Sequence, residues 1–294
     1  MEKAVYHLPG LFEFYDFYRK FLPIYREKTE YFYDWCQIGS LYGAPADCLW
    51  AGGRVSTGNA NPRQVLALTE EYDLSARLTF SNSLLRPEHL KDPKCNRLCA
   101  LFGAEPGNGA IVHSELLLDY LKEKYPNFYF VSSTTKVLTD FEDLTAETER
   151  PDFRYVVPDF RLNKAFDRLA GLKEKRKVEF LCNECCWPGC RERKKCYENV
   201  SRKNLGEHCP DHICAAPEGE KGYRFSAAMK NPAFIGIRDI RETYLPMGFS
   251  QFKIEGRGLG SAMLLEFILY YLTKPEYQLL LREEMYLDSM LDLF

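Results

Sequence analysis

Seven of the eleven cysteines fall between Cys182 and Cys214, a density that points to metal chemistry before any fold is considered. Cys182 and Cys185 are separated by two residues, Cys186 and Cys190 by three, and Cys209 and Cys214 by four. Spacings this short let two thiolates converge on one centre across a turn, and Pro188 with Gly189 supplies such a turn. Four thiolates suit either a tetrahedral zinc or a 4Fe-4S cluster, and spacing does not choose between them. His208 and His212 keep a mixed Cys/His zinc site open. Context leans toward iron and sulfur, because the cysteines begin at the end of an expected strand in a large fold, whereas a structural zinc usually organises a small module without its own core. Adjacent Cys185 and Cys186, flanked by Cys182 and Cys190, make poor hydrophobic patterning, which disfavours a role as buried apolar fillers. Cys36, Cys48, Cys95 and Cys99 are scattered along the sequence.

A second constellation lies near the C-terminus, in the run Phe249-Ser-Gln-Phe-Lys-Ile-Glu-Gly-Arg257. Side chains alternate along a strand, so Lys253, Glu255 and Arg257 share one face while Phe252 and Ile254 share the other. Three charges on one face are tolerated only if they pair with one another or with a ligand. The planar fork of Arg257 suits a carboxylate or phosphate, and Gly256 and Gly258 let the backbone bend close to a bound group. A structural Lys-Glu-Arg network is the competing reading.

The elements that must position these residues follow from hydrophobic patterning. Apolar β-type runs occur at Val5 to Leu8, Cys48 to Trp50, Ala76 to Phe80, Gly109 to Val112, Phe128 to Val131, Arg154 to Val157, Val178 to Leu181 and Phe249 to Ile254. Helical spacing separates several of them, as in Ser114 to Tyr125 and Ala165 to Leu172. Strands alternating with helices predict an α/β fold with a parallel sheet, and eight such units predict a single (β/α)8 TIM-like barrel over 1–294. An open doubly wound parallel sheet is the alternative. The cysteine-rich segment at about 182–214 and C-terminal helices at about 259–294 complete the plan. In a barrel the site belongs at the carboxyl ends of the strands, where Asn82, His113, Asp159, Arg161 and Asn183 fall and become candidate substrate-binding residues. Polar residues at strand ends are also what solvated loops require.

Composition narrows the classes. Hydrophobic residues make up 46% and charged residues 28%, the balance of a chain that can build a core. A net charge of −3 gives no global positive field to draw the protein onto nucleic acid. RNA is then supported only by the local charge runs Arg191 to Lys195 and Lys173 to Lys177 and by abundant Tyr and Phe. No apolar run reaches the roughly 18 residues of a membrane span, and no secretory pattern is seen, so a cytoplasmic location is expected. Eleven cysteines in an unexported chain then argue for metal binding rather than disulfides.

At these segments the chain resembles the collagenase-like peptidases of family U32. The shared features are Phe252-Lys-Ile-Glu-Gly-Arg257, the turn with Asn183, Glu184, Cys186 and Cys190, the run Val131-Ser-Ser-Thr-Thr-Lys136, and Asp159 to Asn163. The resemblance spans roughly Ala76 to Arg257. It implies a β/α barrel with a 4Fe-4S cluster and, in several relatives, oxygen-independent hydroxylation of ubiquinone precursors or of pyrimidines in RNA, with prephenate as oxygen donor. We expect Cys186, Cys190, Cys209 and Cys214 as cluster ligands, Lys253, Glu255 and Arg257 as catalytic residues, and an RNA base or an aromatic or carboxylate-bearing small molecule as substrate. A zinc- or cluster-stabilised binding or assembly protein is the alternative of a different class. Peptidase activity is disfavoured, because the sequence has no Gly-X-Ser-X-Gly elbow and no His-Glu-X-X-His helix.

Anaerobically purified protein is therefore expected to be brown and to contain iron and sulfide. Cys186→Ala and Cys190→Ala should lose both, and Cys95→Ala and Cys99→Ala should keep them. Equal iron in all four variants would count against the ligand assignment.

Overall fold

Branched and aromatic side chains suit a pleated, half-buried surface, and the runs rich in them become the strands. The computed structural model describes residues 2–53, 58–217 and 224–291. It contains β1 (Ala4–Pro9), β2 (Cys36–Gly43), β3 (Ser75–Phe80), β4 (Gly109–Val112), β5 (Tyr129–Ser132), β6 (Phe153–Val156), β7 (Glu179–Leu181) and β8 (Gln251–Lys253). All pair in parallel, in the order β6-β5-β4-β3-β2-β1-β8-β7. A single parallel bridge between Val156 and Val178 joins the two ends and closes a (β/α)8 barrel.

Parallel strands need crossover connections, and helices supply them. These are α1 (Tyr15–Glu27), α2 (Pro62–Glu71), α3 (Pro93–Phe102), α4 (Glu115–Lys124), α5 (Phe141–Glu149), α6 (Phe166–Ala170), α7 (Arg193–Asn204), α8 (Phe225–Ala228) and α9 (Ile237–Asp239). After β8 come α10 (Ser261–Tyr271) and α11 (Gln278–Leu291). The last three positions of the expected C-terminal helical stretch, 292–294, lie outside the described residues. Local chemistry fixes helix starts: the side chains of Asp92 and Ser114 accept the N–H groups of Cys95 and Leu117 at the first turns of α3 and α4. No described helix is long and apolar enough to cross a membrane.

Seven expected strands lie on seven of these, but Cys48 to Trp50 is a buried loop and the second strand is Cys36–Gly43. Gly39 explains the omission. It is the extra residue of a bulge, since Tyr6 pairs with Ile38 and His7 with Ser40. A Cβ there would lie 2.4 Å from the Val5 side chain, so glycine is needed where the run reads least like a strand.

The outward faces of the strands, including Leu78, Phe80, Phe180, Phe252 and Ile254, pack under the helices in the main core. Tyr42, Ile111, Val131 and Val157 form a separate apolar layer, with Tyr129 and Tyr155 against it. Deeper polar groups pair with one another: Arg77 Nη1 donates to Glu179 at 2.5 Å, and Lys253 Nζ lies 3.3 Å from the same carboxylate. His7 Nε2 lies 3.0 Å from Gln251 Oε1, so this nitrogen carries the proton and Nδ1 accepts from Ser40 at 2.8 Å.

Burial, reinforced by Arg77, pushes His7 down from its ordinary 6.5 to about 3. Below pH 6.5 the unfolded chain takes up a proton that the folded chain refuses, so stability falls as pH falls. Glu179, held below its ordinary 4.5 by its cations against the effect of burial, adds a loss of the same sign only below that value. Between pH 6.5 and 4.5 His7 should therefore contribute up to about 1.4 kcal/mol per pH unit to the fall in stability from urea titrations, beside a contribution of the same sign from His113, which burial lowers from 6.5 to about 4. His7→Gln should reduce that slope and leave the His113 share, and an unchanged slope would exclude His7 as a source.

Candidate functional site

The chain leaving β8 continues the alternation of the strand. Lys253, Glu255 and Arg257 line a cavity of about 250 Å³ at the carboxyl ends of the strands, while Phe252 and Ile254 point into the outer core. Gly256, at φ +149°, makes the bend between the last two charges in a conformation that other residues rarely adopt. Lys253 Nζ stands 3.7 Å above the centre of the Tyr42 ring. Burial lowers its pKa from 10.5 to about 8 against the opposing pull of Glu179. Arg257 Nε lies 3.3 Å from Glu13 Oε1. Burial raises the Glu13 carboxyl above its ordinary range, and Arg257 offsets part of that rise.

The opposite wall is made of hydroxyls. Thr79 and Ser81 come from the end of β3, and Ser133, Thr134 and Thr135 from the turn after β5. Thr135 is fixed by Ser133 Oγ at 3.0 Å and His113 Nδ1 at 2.8 Å. Thr79 Oγ1, Ser81 Oγ and Thr134 Oγ1 are buried and have no hydrogen-bond partner among the described residues. Sequence reasoning passed over Thr79 and Ser81, although Arg77-Leu-Thr-Phe-Ser81 already showed polar residues at period two inside an apolar run. That is the signature of a strand whose inner face is polar.

The other sequence candidates hold the mouth together. Asn82 Nδ2 donates to the carbonyls of Leu49 and Ser201, and its Oδ1 accepts the Leu84 N–H. Asp159, fully buried, accepts from Arg161 Nε at 2.6 Å and lies 3.4 Å from Arg193 Nε. Arg161 also donates to the Cys190 carbonyl. Asn183 pairs with the backbone of Glu255 from both sides of its amide: Oδ1 accepts the N–H at 2.7 Å and Nδ2 donates to the carbonyl at 3.1 Å. His113 stands behind Thr135, and burial together with Lys136 pushes it from 6.5 to about 4.

Cys185 lines the cavity, Cys186 and Cys190 are half-buried in the turn beyond it, and Cys182 sits in the core. Cys209 accepts from Asn199 of α7 at 3.5 Å, and Cys214 is exposed. A single tetrahedral zinc would need its sulfurs about 3.8 Å apart. Among the described residues, the group of three Cys, His, Asp or Glu donors within 4.8 Å of one another is Glu184, Cys185 and Glu255, which are close enough to share one ion. Glu184 is already engaged, accepting from Arg193 at 2.5 Å and from the N–H groups of Cys185 and Cys186.

No protein-family model matches the sequence, and no curated protein does. A solved U32 peptidase structure superposes with a TM-score of 0.55 at 13% identity, covering 88% of this chain and 94% of that one. The fold is therefore U32-like. A thiamine phosphate pyrophosphorylase from Pyrococcus furiosus gives a TM-score of 0.35 at 12% identity, over 69% of this chain and 95% of that one.

Asn183 offers the sharpest test of how the mouth is built. Asn183→Asp keeps the acceptor for the Glu255 N–H but sets a carboxylate against the Glu255 carbonyl, whereas Asn183→Ala loses both bonds. Each should lower stability by about 1–3 kcal/mol in denaturant titrations. A loss in neither variant would show that this pairing does not hold the segment.

Proposed function

We propose that the cavity binds a small carboxylate-bearing molecule, and that the chain is an enzyme acting on it in an oxygen-independent hydroxylation or related redox modification. The observation that carries the reading is the set of three buried hydroxyls without partners among the described residues, facing a wall with Lys253 and Arg257. A buried hydroxyl left unsatisfied costs about 1–3 kcal/mol, and oxygen atoms of a ligand would remove that cost. Arg257 would orient the carboxylate through its planar fork. Lys253, with a pKa of about 8, exchanges a proton near neutral pH, and Glu255 is the carboxylate at hand to accept one. A volume of about 250 Å³ suits a small molecule better than a folded polymer.

Cys186, Cys190, Cys209 and Cys214 would hold a 4Fe-4S cluster, which spreads its four thiolates more widely than a single zinc does. The donor chemistry fits. Arg193, 2% exposed, lies near Cys186, and its Nη1 has no hydrogen-bond partner among the described residues, so the negative charge of a thiolate-bound cluster would satisfy it. When bound, such a group supplies one-electron transfer. A peptidase would need an activated nucleophile, and the Thr135 and His113 pair offers a secondary hydroxyl beside an imidazole whose pKa of about 4 makes it a weak base at neutral pH.

Calorimetric titration of anaerobically purified protein with a panel of small aliphatic and aromatic carboxylates tests the reading. At least one should bind, and Arg257→Lys should weaken it about tenfold, or about 1.4 kcal/mol, with the melting temperature unchanged. Binding of none, or equal affinity in the variant, would defeat the carboxylate site. A product formed only with turnover separates an enzyme from a binding module.

A further inference from the structure

Three of the four cysteines outside the 182–214 segment come together where the loop after β2 meets α3. Cys48 lies in the loop after β2, Cys95 in the first turn of α3, and Cys99 one turn further along the same helix. Cys48 is 3% exposed, and Cys95 and Cys99 are fully buried. The sulfurs of Cys48 and Cys95 are 3.6 Å apart. The two thiols have unlike surroundings. The contact with Cys95, the N–H groups of Trp50 and Ala51, and the charge of Lys94 lower the Cys48 thiol against its own burial, while the same contact and burial push the Cys95 thiol up. Two buried sulfurs, of which Cys48 ionises more readily than Cys95, thus stand in contact. Packing two thiols as apolar fillers requires no such convergence of donors on one sulfur.

We propose that Cys48 and Cys95 are an oxidisable dithiol, a modification site at which a small peroxide closes a disulfide between the loop after β2 and α3. In the first step the Cys48 sulfur attacks a peroxide oxygen. An S–O bond forms, the O–O bond breaks, and the departing hydroxide takes the Cys48 proton as water. In the second step the Cys95 sulfur attacks the Cys48 sulfenic sulfur. The S–S bond forms, the S–O bond breaks, and hydroxide leaves with the Cys95 proton as a second water. Two thiols lose two electrons, and the peroxide gains them.

Closing the gap to a disulfide length near 2.05 Å asks the sulfurs to approach by about 1.5 Å, within reach of side-chain rotation and a small loop movement. Burial selects the oxidant, since a peroxide is small enough to enter where a bulky disulfide is not. The loop that would be tied down runs on through Gly52, where a Cβ would lie 2.1 Å from the Ser81 carbonyl oxygen, to Gly53, on the cavity wall beside Arg257. The cross-link would therefore anchor one edge of the cavity to α3.

The test treats the full chain, first reduced, with hydrogen peroxide under native conditions, blocks remaining thiols by alkylation, and maps peptides without reductant. The expected result is a dominant Cys48–Cys95 linked peptide, formed while the near-ultraviolet circular dichroism stays native, retained in Cys99→Ser and lost in Cys48→Ser. The exposed Cys185, outside the proposed ligand set, serves as the reference for surface oxidation. The proposal is overturned if Cys95 links to Cys99 instead, if the Cys48–Cys95 peptide appears only once the native signal is lost, or if both thiols stay reduced while Cys185 oxidises. Should Cys48→Ser fold poorly, the wild-type map decides by itself.

Discussion

A carboxylate in the middle of a closed barrel has to bring its own cations, and Glu179 does. It is fully buried, receives Arg77 at 2.5 Å and has Lys253 at 3.3 Å, so three strands are tied to one charge. Leaving any partner of such a group unpaired in the interior costs several kcal/mol. That penalty sets register, because a slip of one residue in β3, β7 or β8 would turn a charged side chain outward into the apolar core under the helices. Arg77 is held further by the Tyr129 hydroxyl at 2.7 Å and by the face of Tyr155 at 4.8 Å. His7 is kept neutral there, which spares the network a third buried cation.

The same register places the cavity. Tyr42 and Ile111 belong both to the inner apolar layer and to the cavity wall, so the floor of the site is the barrel's own packing. Lys253 joins the two levels, since its amine reaches Glu179 below while its side chain borders the cavity above. The charge that stabilises the barrel is therefore also the one that tunes the amine bordering the cavity.

Much of this was legible in the residues. The alternation of Phe252, Lys253, Ile254, Glu255 and Arg257 already separated a core face from a cavity face, and the eightfold recurrence of apolar runs pointed to a barrel. What escaped was tertiary in origin. Gly39 disguised β2 because a bulge demanded it. Asn183 reads as a polar loop residue, and nothing local shows that its amide would pair with the backbone of a residue 72 positions away. Cys48, Cys95 and Cys99 look scattered because a parallel fold returns successive loops and helices to the same side, a proximity that linear spacing cannot express.

The closure of the barrel between β6 and β7 differs in kind from its other joints. Elsewhere neighbouring strands share ladders of three to six paired residues, whereas this joint has the one bridge from Val156 to Val178. Side chains do the remaining work: Lys177 donates to the carbonyls of Thr148 and Arg150 at one end, and Asn163 to that of Leu181 at the other. A backbone ladder can be built from almost any residue type, but a joint that supplements one bridge with a lysine and an asparagine cannot. Most of the circumference is therefore held by bonds indifferent to side-chain identity, whereas this seam draws on two particular side chains to satisfy its carbonyls.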